Sequence, residues 1–225
     1  KTWNLGGGTM TLAGPVAVDV GGDQSFLGGG TLLISNSFNV GSASTANPAF
    51  LIGDCRFVLN GSSAQFSSRG GFRIGSSYPT TPAATELVMS NGASFYLSLP
   101  GAACRVGSTA NGVTSRVIID NSTFTMTGGE FGVPWAAGAT GEVIQAGSSV
   151  LDPQLLFNYG NGGSGTYRIK DGLLEPRIIK RNSSGGFAGI YFDNAILRPS
   201  ISAGSDFMTE LDVAEIQSGG LTLDV

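Results

Sequence analysis

Three aspartates, Asp120, Asp171 and Asp193, each follow an apolar run and recur at a regular-repeat spacing. Two or three carboxylates on one wall are the equipment for glycoside hydrolysis, one acting as acid and another as base or nucleophile across the sugar bond. These residues also stand where the chain turns, and an Asp at a turn bonds its own backbone. Asn36, Asn60 and Asn91 fill the same slot elsewhere, and an amide does no acid–base work. The turn role accounts for the aspartates, so no catalytic residue is assigned.

Two further groups could contact a substrate. Arg168, Lys170, Arg177, Lys180, Arg181 and Arg198 form a basic cluster in the sequence. Gathered on two adjacent coils, they would neutralise a uronate, as a polysaccharide lyase or an anionic-glycan binder requires. On a solvated face they would pair with Glu175, Asp171 and Asp193, and such surface pairs contribute little; pairing is the favoured reading. The second group is aromatic. Trp135 lies in the loop-like phrase GVPWAAG, with Tyr78, Tyr159 and Tyr191 elsewhere. Arg73 and Arg105 occupy matching slots, in FRIGSS and CRVGST, and are placed to stack as a ladder near Trp135. Trp135, Tyr78, Tyr159, Arg73 and Arg105 are therefore the candidate glycan contacts, weighed against core or corner packing for each ring.

Composition narrows the chemistry. There are no histidines among the 225 residues, which removes the commonest general base and metal ligand. No metal site and no cofactor is expected: no calcium-binding glycine–aspartate array is present, and the glycine runs do not open helices as phosphate loops do. A net charge of −4 argues against non-specific nucleic-acid binding. No apolar run approaches the ~18 residues of a membrane-spanning helix. Gly is abundant at 36 residues and charged residues are sparse at 12%, while 41% are hydrophobic. That combination describes many short strands joined by turns rather than disorder.

The elements that must position these residues follow from a repeat. A polar turn recurs at Ala13, Asn36, Asn60, Asn91, Asp120, Ala146, Asp171, Asp193 and Ser218, at intervals of 22 to 31 residues. Two places before each stand Thr11, Ile34, Val58, Met89, Ile118, Ile144, Ile169, Tyr191 and Ile216, mostly aliphatic. A second column holds FRIGSS, CRVGST, FGVPWA, LLFNYG and RIIKRN. No sustained helical periodicity is present. Short strands repeating every ~25 residues predict an all-β fold, a right-handed parallel β-helix of about nine coils forming a single domain over residues 1–225. A β-sandwich also has many short strands, but the fixed turn in each period favours the solenoid. Coils stacked ~4.8 Å apart bury in common the apolar side that one coil cannot bury alone. Insertions at residues 75–85 and 110–115 are expected as loops on one face, with a further loop at 41–49.

The last third is the most regular. It reads TYRIKDGLLEP, then GIYFDNAILRP, then AEIQSGGLTLDV. Residues 165–225 resemble the autotransporter-associated β-strand repeats of exported bacterial proteins, including those with PEP-CTERM-type anchors. The matching slots hold Tyr167 to Leu174, Phe192 to Arg198 and Ile216 to Gly220. The resemblance implies a β-helix passenger displayed outside the bacterial cell and carries no catalytic residue with it. The charged phrase EPRIIKR departs from the pattern.

These readings give a non-enzymatic extracellular module with a structural, adhesive or filament-forming role at the cell surface. It is expected to be a segment of a longer exported protein. A carbohydrate-binding module is the alternative, and a polysaccharide lyase or hydrolase the third reading. The expected partners are neighbouring modules or head-to-tail copies, with polysaccharide as a further one. Cys55 and Cys104 read as two buried hydrophobes in preference to a disulfide.

Overall fold

A computed structural model describes residues 2–18, 24–27, 29–40, 50–75, 85–107, 114–201, 203 and 206–225. Among these the fold is a parallel β-solenoid, three sheets of nine strands each. Each rung contributes one strand to each sheet in strict rotation. Rung five, for example, runs Cys104–Val106, Thr114–Asp120 and Thr123–Met126 through the first, second and third sheets. All the strand pairings are parallel and join successive rungs. Seven rungs, from Phe26 to Leu197, enclose buried hydrophobic side chains; among the described residues the first and last do not. No helix among the described residues is long and apolar enough to cross a membrane.

The core is built from ladders because in-register parallel strands place like residues over like. Phe66, Phe95 and Phe124 of the third sheet stack at 4.8 and 4.6 Å, close to the rung spacing. Phe50 and Phe72 do the same on the first sheet at 5.6 Å, and Phe26, in register with Ile52, leans over to stack on Phe50 at 5.1 Å. Each ring buries on the order of 150–250 Å² and adds offset stacking to that burial.

The second sheet corrects the aliphatic column inferred from the sequence. The inward residues are Leu12, Ile34, Leu59, Met89, Ile119, Gln145, Ile169, Phe192 and Ile216. Val58, Ile118, Ile144 and Tyr191, assigned to that column, lie one residue away, facing outward and half-buried. A one-residue slip changes the face of a strand, and here Leu33, Val58, Val88, Ile118 and Ile144 make the outer neighbour aliphatic as well.

Gln145 breaks the inward column and is fully buried. Its Nε2 donates to the carbonyls of Ser148 and Leu173 at 2.9 and 2.8 Å. Its Oε1 accepts from the buried Tyr167 hydroxyl of the next rung at 2.9 Å. Cys55 and Cys104 are free and buried.

Candidate functional site

The three aspartates lie at the corner between the second and third sheets, though not in one equivalent position. Asp120 and Asp193 end their strands in the column that also holds Asn60, Ala146 and Lys170. Asp171 falls one residue later, in a left-handed column with Asn91, Asn121 and Asn194, at φ of 53°, 58°, 45° and 52°. Gly61 and Gly147 fill that column in other rungs. Glycine, Asn and Asp tolerate this conformation, which is why those types recur there. Each carboxylate holds the corner together. Asp120 accepts from the Asn121 amide at 2.9 Å. Asp171 accepts from the Asn194 amide of the next rung, and Asp193 from the Gly219 N–H at 2.7 Å.

The six basic residues do not form a patch. Arg168 and Lys170 lie on the second sheet, Lys180 and Arg181 on the first, and Arg177 and Arg198 at corners between the third and first. Of the pairings expected, Arg198 with Glu175 is present, while Arg168, Arg177 and Arg181 pair with Glu142, Asp152 and Asp212 in place of Asp171 and Asp193. Arg177 makes a two-pronged contact with Asp152, both bonds 2.7 Å, and its guanidinium packs where a side chain on Gly128 would stand. Those bonds hold the Asp152 carboxyl below its ordinary value, helped by Ser200 and opposed by burial. Arg181 pairs with Asp212, and Arg198 with Asp224 and Glu175. Arg168 lies 3.8 Å from Glu142 and over the Tyr191 ring at 4.5 Å. It ends a charge ladder that sequence reasoning missed: Arg56–Glu86–Arg116–Glu142, at 3.2, 3.4 and 2.7 Å. Arg56, Glu86, Arg116 and Glu142 share one offset from the corner column, a signal readable only once the register is known.

Four of the five candidate glycan contacts do come together. Tyr78 lies outside the described residues. Arg73 and Arg105 are direct partners on adjacent rungs of the first sheet. Gly132 occupies the same outward column on the next rung. Its missing side chain leaves room for Trp135, which folds back over it: a Cβ at Gly132 would lie 2.6 Å from the indole Cε3. The Arg105 guanidinium stands 3.9 Å from the indole centroid. Tyr159, one rung further, stacks on the indole at 3.7 Å and 9°. The result is a line along the rod, Arg73–Arg105–Trp135–Tyr159, with all four residues half-buried. The Arg105 guanidinium carbon stands over the indole ring, so the ring face expected to meet a sugar is covered. Neither arginine has an ion pair among the described residues. Burial and the neighbouring Arg73 lower the pKa of Arg105, while Glu130 acts on it in the opposite sense from beyond ion-pair distance.

This ladder follows the edge where the first sheet passes into the second. That edge carries longer connections in rungs six to eight, residues 134–139, 158–163 and 182–186, than in rung nine, residues 210–212. The loop expected at 41–49 and nearly all of the insertions expected at 75–85 and 110–115 lie outside the described residues. The step down to rung nine leaves a shallow notch of about 440 Å³ lined by Arg181, Ser183, Glu210 and Asp212 among others. There the Ala188 N–H, and then Arg181, hold the Asp212 carboxyl low. No cluster of three or more Cys, Asp or Glu suited to a metal ion occurs among the described residues.

No family model, curated protein or solved structure matches the chain.

Proposed function

We propose that this chain is a non-enzymatic β-solenoid module, a rigid rod with a structural or adhesive role at the surface of a bacterial cell. The observation that carries the reading is the use made of the carboxylates. Asp120, Asp171 and Asp193 hold the corner, Glu86 and Glu142 are rungs of the charge ladder, and Asp152 clasps Arg177. Hydrolysis of a sugar bond needs two carboxyl groups facing each other across the substrate. The exported setting rests on the resemblance of residues 165–225 to autotransporter-associated repeats.

The end rungs favour stacking partners. Trp3, Ile216 and Leu223 continue the inward columns and are 39%, 61% and 62% exposed. A further rung from the same polypeptide or from a second copy would bury them and pair the open strand edges. A head-to-tail contact that does not close gives filaments. A carbohydrate-binding module is the second reading, favoured by the arginine–aromatic line on the first sheet.

The test is incubation with plant, algal and mucin polysaccharides, followed by reducing-end and unsaturated-product assays. No turnover is expected; turnover overturns the non-enzymatic reading. Light scattering across a wide concentration range should show growing linear assemblies, and monomers throughout would remove head-to-tail stacking.

A further inference from the structure

We infer that Arg73 and Arg105 form a contact site for a uronate-bearing polysaccharide, held in shape by Trp135 and Tyr159. The inference deepens the adhesive role proposed above and rests on the ladder geometry. In this chain Arg56, Arg116, Arg168, Arg177, Arg181 and Arg198 each have a carboxylate within ion-pair distance. Among the described residues Arg73 and Arg105 have none, although they are direct neighbours on adjacent strands. Two like charges carried on neighbouring strands repel, and an anion placed between them relieves that repulsion. The lowered pKa of Arg105, set by burial and by Arg73, agrees with such a strained pair.

The stack decides which part of Arg105 a ligand can use. Its guanidinium carbon stands over the indole, 3.9 Å from the ring centroid, and the indole is backed by Tyr159 at 3.7 Å. A guanidinium stacked by its face keeps its in-plane N–H donors free, and these match the two oxygens of a planar carboxylate. The aromatic backing also fixes the side chain before binding, so less rotamer freedom is lost when the ligand arrives. A polymer with one carboxylate per sugar can engage both guanidiniums along the rod. The overall charge of −4 disfavours indiscriminate polyanion binding, so retention should depend on these two residues rather than on net charge.

The experiment is affinity electrophoresis and calorimetric titration of the folded chain with polygalacturonate, alginate, a sulfated galactan and neutral galactan. Polygalacturonate or alginate should bind and neutral galactan should not. Arg73→Gln and Arg105→Gln should each weaken binding by roughly tenfold or more, the loss of one charge-assisted contact. Arg105→Lys, which keeps the charge and loses the planar fork, should also weaken it. Arg198→Gln, on another part of the rod, should leave it unchanged. Circular dichroism confirms that each variant is folded. The inference is overturned by failure to bind either uronate polymer, by preference for the sulfated galactan, by equal loss in Arg198→Gln, or by unchanged binding in Arg73→Gln/Arg105→Gln. Cleavage of the bound polymer would overturn the non-enzymatic reading and leave this site standing. Absence of binding would remove the site and leave the rod-like scaffold intact.

Discussion

Replacing Gly132 with Ala should change sign according to whether Trp135 is present. The three atoms nearest a Cβ at Gly132 all belong to the indole, at 2.6, 3.4 and 3.6 Å. The ring cannot retreat easily, because Tyr159 lies at 3.7 Å on one face and Arg105 at 3.9 Å from the centroid. Displacing it forfeits a cation–π contact of about 0.5–1 kcal/mol and an aromatic stack of about 0.5–1.5 kcal/mol. Against this, Ala in a strand is favoured over Gly by roughly 0.5–1 kcal/mol, and the Gly132 backbone lies outside the left-handed region. In the parent chain the variant should therefore lose about 0.5–1.5 kcal/mol. In a Trp135→Ala background the obstacle is gone, and the same substitution should gain about 0.5–1 kcal/mol. Urea unfolding of the four proteins, followed by far-ultraviolet circular dichroism, completes the double-mutant cycle. Indole fluorescence in a Trp3→Phe background reports the ring directly. A stabilising Gly132→Ala in the parent chain, or an equal effect in both backgrounds, would refute the claim that Gly132 exists to seat Trp135.

Other consequences can be measured in the same way. Gln145→Leu should destabilise by about 1–3 kcal/mol, because it strands the buried Tyr167 hydroxyl. Adding Tyr167→Phe should recover much of that in urea unfolding, and strictly additive losses would deny the coupling. Phe95→Ala removes a fully buried ring between Phe66 and Phe124 and should cost about 3–5 kcal/mol, read from the denaturation midpoint. The Asp152–Arg177 contact lowers the folded pKa of the carboxyl, so its stabilisation is present above the ordinary value of 3.8 and is lost as pH falls through the folded value. The stability gap between the parent and Arg177→Gln should accordingly narrow in unfolding titrations carried below that pH. Burial, and then Asp54, push the Cys55 thiol up to about 12, and burial raises Cys104 as well. Neither should react with a disulfide reagent at pH 8 until denaturant is added, and rapid labelling of the folded chain would contradict their placement.

The corners were legible because their chemistry is local. A residue held at positive φ selects Gly, Asn or Asp whatever surrounds it, so Asn91, Asp171 and Asn194 announce the turn in one dimension. The period, the solenoid class and the structural use of Asp171 follow from that signal, and Asp120 and Asp193 stand one residue before it. The shared context of Arg73 and Arg105, in FRIGSS and CRVGST, likewise marks one column. What lay beyond reach was every property set between rungs. Inward and outward faces of the second sheet could not be told apart, since Ile118 and Ile119, or Val58 and Leu59, are equally apolar and only enclosure distinguishes them. The basic residues between Arg168 and Arg198 are close in sequence, yet three sheets turn between them and carry them to different parts of the rod. The seat that Gly132 gives Trp135 was invisible for the same reason: a glycine in a glycine-rich chain says nothing until an aromatic ring is found lying over it. Where the chain turns, and what fills the turns, is written in the residues themselves. Tertiary structure alone decided which residues meet across rungs, because that depends on the length of every intervening corner.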